Sequence, residues 1–73
     1  MAKTESVDAR GLSCPQPVIL ARQAMQAVGS GTVTVVVDTV TSRDNVTRMA
    51  QRDGWKVASE PTREGDYSVV LSR

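Results

Sequence analysis

The chain contains a single cysteine, Cys14, which opens the run Cys14-Pro15-Gln16-Pro17. Proline has the fixed φ that suits a first helical position, and it disfavours the αR region for the residue before it. The run therefore predicts that Cys14 is the N-cap of a helix, with Pro15 at N1 and Pro17 at N3. The amides of Gln16 and Val18 would then be the unsatisfied donors nearest the sulfur.

A cysteine at a helix N-terminus is suited to thiolate chemistry. The N-terminus carries roughly half a positive charge, so we expect the pKa of Cys14 to fall below the usual ~8.5. Arg10, four residues upstream, would add positive field. Asp8 either accepts hydrogen bonds from loop amides and so positions Cys14, or is an ordinary residue at a strand end. A cysteine persulfide is also anionic near neutral pH, so the same position would stabilise Cys14 with a second sulfur atom attached.

Other chemistry is limited by composition. The chain has no histidine, which excludes Ser-His-Asp and Cys-His catalysis within it. One cysteine with scattered carboxylates makes a poor zinc site, so we expect no metal and no cofactor. The alternative for Cys14 is a small buried hydrophobe, which the flanking turn and prolines disfavour. Cys14 is therefore interpreted as the attachment site for a sulfur atom that partner enzymes add and remove.

The chain length and net charge are those of a small, nearly neutral protein. With 73 residues, we expect one domain over residues 1–73, an ordered core over about 5–72, and no deep cleft. The net charge of +1 predicts no general attraction to nucleic acid or membrane. A lone cysteine forms no internal disulfide, and no signal peptide or apolar span is visible. We expect a cytoplasmic monomer.

Hydrophobic patterning predicts six elements in the order β-α-β-α-β-β. The predicted strands are residues 6–10, 32–38, 56–60 and 66–72, and the predicted helices are 15–28 and a second one that starts at Thr41 or Ser42 and ends at Asp53-Gly54. We expect both helices on one face of a four-stranded mixed sheet, an α/β (α+β) two-layer sandwich. Met25, Met49 and Trp55 are predicted to pack in an aliphatic core.

The motif and its surroundings resemble a known family. Residues 8–12 (Asp-Ala-Arg-Gly-Leu) and 14–19 (Cys-Pro-Gln-Pro-Val-Ile) are similar to the TusA/SirA-like family of small sulfur-carrier proteins. The hallmark of that family is Cys-Pro-x-Pro at the start of the first helix, and the resemblance runs from about Val7 to Leu71.

The resemblance implies a βαβαββ sandwich and a persulfide carried on Cys14. It implies sulfur transfer to or from cysteine desulfurases, rhodanese-like or DsrE-like proteins, for tRNA thiolation, cofactor sulfuration, or sulfur or selenium metabolism. The supporting motif residues are then Asp8, Arg10, Gly11, Pro15, Gln16 and Pro17. Residues 37–38 and 45–48 are also similar to the N-terminal domain of YedF-like proteins, which are linked to selenium metabolism. The further C-terminal domain usual there is absent, so a stand-alone carrier is the simpler expectation.

Two other groups of charged and polar residues each allow two interpretations. Asp38, with Asp44 and Asn45 at the expected start of the second helix, could suggest a metal site, but acidic residues in a first turn are normally dipole partners. Arg43, Arg48 and Arg52 follow one side of that helix. They could bind RNA or an acidic partner, although a solvated face is the commoner explanation.

Two further functions stay open. One is a regulatory or nucleic-acid-binding module without sulfur transfer. The chain has few aromatic residues for base stacking, so nucleic acid is not expected as a direct ligand. The other is a non-catalytic assembly domain that dimerises through a sheet edge.

Overall fold

A computed structural model describes residues 3–12 and 15–73. The helices and strands are β1 Lys3–Asp8, α1 Gln16–Val28, β2 Gly31–Val37, α2 Val40–Arg52, β3 Lys56–Pro61 and β4 Tyr67–Ser72. The predicted order and fold class are confirmed: two helices pack on a four-stranded mixed sheet. Neither helix in the described ranges is long and apolar enough to cross a membrane.

The strand order in the sheet is β1-β2-β4-β3. β1 and β2 are parallel, whereas β4 is antiparallel to both β2 and β3. Because β1 and β2 each lead into a helix, both helices begin at the same edge of the sheet. β4 also starts there, since Tyr67 pairs with Val37. We call this the carboxyl edge; it comprises residues 8–12, 38–40 and 62–66.

The core lies between the helices and one face of the sheet. Along β2 the side chains alternate, with Val33, Val35 and Val37 fully buried and the intervening residues half-buried. Val69 and Leu71 of β4 lie opposite them and are also fully buried. The helices contribute Ala21, Ala24, Met25, Val28, Val46 and Ala50, and Trp55 closes the far end. Burial of each Val or Leu side chain stabilises the fold by about 1.5–3 kcal/mol relative to its exposure. The mainly aliphatic core that the sequence predicts is therefore the main source of stability.

The start of α1 differs from the prediction. The N-cap is Pro15 rather than Cys14, and Cys14 itself lies outside the described residues. The carbonyl of Pro15 accepts the first intrahelical hydrogen bond, from the amide of Ile19 at 3.1 Å. Pro17 therefore occupies N2 instead of N3. The first amides of a helix have no intrahelical acceptor, so either proline fits several first-turn positions and the sequence alone does not fix the start.

The start of α2 also lies earlier than predicted. Thr39, not Thr41 or Ser42, is the N-cap, and its hydroxyl accepts a hydrogen bond from the amide of Ser42 at 3.0 Å. All three hydroxyl residues have the chemistry of a cap, but Thr39 has the extended backbone that the position requires. Asp44 consequently lies beyond the first turn of α2. β1, in turn, spans Lys3–Asp8 rather than the predicted residues 6–10.

Candidate functional site

The chain leaves β1 along a fixed path toward the Cys-Pro-Gln-Pro run. The amide of Ala9 donates to the carbonyl of Val36 at 2.8 Å, which extends the pairing with β2 one residue beyond β1. Ala9 is fully buried. Arg10 and Gly11 then form a turn, so the loop begins at the carboxyl edge.

Asp8 and Arg10 form a closed pair at this exit. The carboxylate of Asp8 accepts hydrogen bonds from Nε of Arg10 at 2.9 Å, from its Nη2 at 3.0 Å and from its backbone amide at 3.1 Å. The hydrogen bonds from the Arg10 side chain and then from its amide lower the pKa of Asp8 from 3.8 to about 2. The same pairing raises the pKa of Arg10. Of the two alternatives for Asp8, the geometry shows contact with a loop amide.

Arg10 also reaches the turn between β3 and β4. Its Nη1 lies 3.4 Å from Oδ2 of Asp66. The amide of Asp66 donates in turn to the hydroxyl of Thr62 at 3.0 Å, within the same turn. The guanidinium of Arg10 therefore lies between two carboxylates. The expected contribution of Arg10 to a positive field at Cys14 is not supported, because these two carboxylates balance its charge. Its contacts instead connect the loop to the β3–β4 turn.

Asp38 provides a second contact that holds the loop after β1, and the sequence did not predict it. It directly follows β2, and its Oδ2 accepts a hydrogen bond from the amide of Gly11 at 2.8 Å. Gly11 has a φ of 76°, in the region that favours glycine. The loop after β1 is thus bound both to the segment after β2 and, through Arg10, to the β3–β4 turn. A polar residue just beyond a strand parallel to β1 is the one signal that could have suggested this contact.

Described residues on both sides of Cys14 line a shallow apolar recess. Leu12 and Gln16, each two positions from the cysteine, share it with Ile19 and Leu20. Ile19 is 47% exposed, one of two large hydrophobic side chains on the described surface with that degree of exposure. Ile19 is therefore available for contact with another molecule. We refer to these four residues as the apolar recess.

The first turn of α1 presents amides rather than a capping side chain. No side chain caps this helix among the described residues. Gln16 and Val18 occupy N1 and N3, before the first amide that has an intrahelical acceptor, that of Ile19. Pro15 and Pro17 have no amide proton, and Pro17 is fully buried, which anchors this turn. Such an end attracts negative charge.

The predicted row of arginines on α2 separates in space. Nε and Nη2 of Arg43 donate to Asp44 at 3.2 and 3.1 Å, and its guanidinium lies 4.9 Å from the centroid of the Tyr67 ring. Arg48 and Arg52 instead line a groove between the two helices, which they share with Arg22 of α1. The sequence missed Arg22, because only the packing of α1 on α2 places it there.

The acidic residues considered for a metal site have other roles. Asp38 binds the amide of Gly11 and Asp44 binds Arg43. Across residues 3–12 and 15–73, no three acidic side chains lie close enough together to hold a metal ion.

Comparisons with known proteins agree with this architecture. Residues 5–73 match the model of the sulfurtransferase TusA family. A solved structure of a SirA-like protein from Desulfitobacterium hafniense superimposes with a TM-score of 0.89 at 36% sequence identity, over 93% of this chain and 95% of the other. Both findings support a sulfurtransferase role in general terms. The chain therefore belongs to the TusA sulfurtransferase family.

Proposed function

We propose that this protein is a sulfur carrier that accepts sulfur as a persulfide on Cys14 and relays it to a partner protein. The observation that carries the proposal is the family match over residues 5–73, within which the only cysteine of the chain stands in the run Cys14-Pro15-Gln16-Pro17. Sulfur transfer in this family requires a thiol, and no other residue of this sequence supplies one.

Loading is an exchange between two sulfur centres. The thiolate of Cys14 attacks the outer sulfur of a donor persulfide, and the new S–S bond forms on Cys14 as the S–S bond of the donor breaks. The donor cysteine leaves as a thiolate, and the proton of the donor persulfide stays on the transferred sulfur. No net oxidant or reductant is consumed. Unloading is the same exchange, with Cys14 as the leaving thiolate and an acceptor thiolate as the attacking group.

The described residues support this chemistry in two ways. The N-terminus of α1, with the amides of Gln16 and Val18, lies within a few positions of Cys14 in the chain and favours the anionic forms of sulfur. The hydrogen bonds that the amides of Gly11 and Arg10 donate to Asp38 and Asp8 restrain the loop before the cysteine. Such restraint of residues 8–11 limits the conformations of the segment that leads to the nucleophile, which favours a productive approach of a partner.

The partners are sulfur donors and acceptors, for which cysteine desulfurases, rhodanese-like and DsrE-like proteins are the proposed classes. The apolar recess is the surface nearest to Cys14 in the chain that such a partner would cover. The cytoplasm is the proposed compartment, because the carrier needs a reduced thiol at the start of each cycle.

The proposal is tested by loading the protein with a cysteine desulfurase and free cysteine, followed by intact mass measurement. We expect the gain of one sulfur atom, which dithiothreitol removes and which the Cys14→Ser variant does not acquire. A rhodanese with thiosulfate and a DsrE-like protein provide two further donors. The proposal fails if none of the three produces an adduct, or if Cys14→Ser gains sulfur as the parent does.

A further inference from the structure

The groove between α1 and α2 concentrates positive charge. It is lined by Val18, Arg22, Asn45, Arg48, Met49 and Arg52. Three of these six residues are arginines, although the chain as a whole has a net charge of only +1. We refer to this set of residues as the basic groove.

Local contacts offset this positive charge only in part: Arg48 donates to Oδ1 of Asn45, and Arg52 lies in the last turn of α2, where a cation is favourable. Arg48 and Arg52 are four residues apart on α2, a spacing at which like charges on a helix repel each other. Both are exposed. Arg22 joins them from α1, and its nearest carboxylate, that of Asp53, is 3.9 Å away. An anionic group in the groove would remove this repulsion, so the charge pattern points to an acidic occupant.

The basic groove begins close to the Cys-Pro-Gln-Pro run. Val18, which lines it, is the third residue of α1. Arg22 lies one turn further on, about 6 Å along the helix axis. Ile19 of the apolar recess is the residue after Val18, so the recess and the groove are neighbouring surfaces on one end of α1. A protein that reaches Cys14 over this end would also cover the groove.

The lining favours a protein segment over nucleic acid. Val18 and Met49 add apolar surface to the groove beside the arginines, which suits carboxylates presented beside apolar side chains. Base stacking needs an exposed ring, but Trp55 is buried and Tyr67 is half-buried beneath Arg43. We propose that the basic groove docks an acidic segment of the protein that loads Cys14; this rests on the proposed function.

Charge complementarity of this kind acts mainly on the rate of association, and salt weakens it. The test therefore compares two sulfur sources. One is whichever protein donor loads the parent fastest: cysteine desulfurase with cysteine, rhodanese with thiosulfate, or a DsrE-like protein carrying a persulfide. The other is inorganic polysulfide, a small donor that needs no docking surface. Both rates are followed by intact mass at 50 mM and 500 mM NaCl.

The variant is Arg48→Glu/Arg52→Glu, and the matched control is Lys3→Glu/Lys56→Glu. The control has the same change in net charge but places it on strands outside the groove lining, with Lys3 on β1 and Lys56 on β3. Arg48→Gln/Arg52→Gln is the milder variant should the first not fold, as judged by circular dichroism.

We expect the groove variant to be loaded by the protein donor about tenfold more slowly than the parent at 50 mM NaCl. Its loading by polysulfide and the rates of the control should be unchanged. The difference between parent and variant should shrink at 500 mM NaCl.

Equal protein-donor rates for the groove variant and the parent would overturn the docking proposal while leaving the sulfur carrier intact. So would inhibition of parental loading by a mixed-sequence single-stranded RNA that does not inhibit the variant, since that would assign the groove to nucleic acid. Failure of every donor to load the parent would instead overturn the proposed function, and the docking proposal with it.

Discussion

The carboxylate of Asp38 accepts a hydrogen bond from the backbone amide of Gly11 at 2.8 Å, although 27 positions separate the two residues in the chain. The contact exists because β1 and β2 are parallel neighbours, so the segments that follow them leave the sheet side by side. It fixes the loop that leads to Cys14 from outside the loop itself. If Cys14 is the sulfur carrier, Asp38 is a positioning residue for it.

Replacing Asp38 should therefore affect sulfur loading more than folding. For Asp38→Ala we expect a loss of about 1 kcal/mol in the free energy of unfolding, the usual value of one hydrogen bond at a surface. We also expect a several-fold slower loading of Cys14, because the loop samples more conformations. Urea denaturation and the mass assay measure the two effects.

Asp44→Ala is the control for that variant, since Asp44 is also exposed and its carboxylate binds only the adjacent Arg43 among the described residues. It should leave the loading rate unchanged. Rescue by Asp38→Asn, which keeps an oxygen acceptor, would show that the hydrogen bond rather than the charge positions the loop. Loading of Asp38→Ala at the parental rate would contradict the positioning role.

Gly11 offers a test from the other side of the same hydrogen bond. Its φ of 76° is unfavourable for an L side chain, although no other described residue has an atom within 4 Å of the position a Cβ would take. Gly11→Ala should therefore lose about 1–2 kcal/mol of stability through backbone strain alone. Loading of Cys14 should slow as well, because the backbone can relieve the strain by moving the loop.

Gly54 is the matched control for this backbone effect. It has a φ of 85° in equally open space, but it follows α2 at the edge opposite the loop. Gly54→Ala should lose a similar amount of stability, measured by urea denaturation, without any change in the loading rate. Equal rates for Gly11→Ala and the parent would mean that the loop conformation does not matter for loading.

The pair Asp8–Arg10 makes a prediction about pH. The hydrogen bonds from Arg10 hold the pKa of Asp8 at about 2, below its ordinary 3.8. Ionised Asp8 therefore stabilises the fold at pH above about 4, and this contribution is lost as the pH falls from about 4 through about 2. In Arg10→Gln the pKa of Asp8 should rise toward 3.8, and this part of the acid sensitivity should become smaller.

Carbon-detected NMR titration of the Asp8 carboxyl group measures that pKa directly. Arg63→Gln is the control, because Arg63 is an exposed arginine in the β3–β4 turn and is not among the groups that lower the pKa of Asp8. It should leave the titration of Asp8 unchanged. An Asp8 pKa that stays near 2 in Arg10→Gln would show that another group lowers it.

Much of the fold could be predicted because it depends on local pattern. The β-branched run of residues 32–37 predicts β2, and the spacing of Ala21, Met25 and Val28 predicts the buried side of α1. These signals come from neighbours in the sequence. The predicted starts of both helices were wrong. Either of two prolines suits several positions in the first turn of α1, and any of three hydroxyl residues could be the N-cap of α2.

The site could be predicted only in part, for a similar reason. The run from Cys14 to Pro17 is continuous in the chain and could be recognised there. The contacts of Gly11 with Asp38, and of Arg10 with Asp66, depend on which strands become neighbours. The basic groove depends on how α1 packs against α2. No local pattern contains that information, so Arg22 and the role of Asp38 emerge only from the structure.

The position of the α2 cap can be tested by two threonines. Thr39→Ala should lose about 1 kcal/mol of stability because it removes the acceptor for the amide of Ser42. Thr41→Ala should change stability by only a few tenths of a kcal/mol, since alanine is the better helix former. A larger loss of stability in Thr41→Ala than in Thr39→Ala would show that Thr41 is the N-cap. Because Thr39 directly follows Asp38, a frayed first turn should also weaken the hydrogen bond to Gly11, so we expect slower sulfur loading in Thr39→Ala and none of this effect in Thr41→Ala.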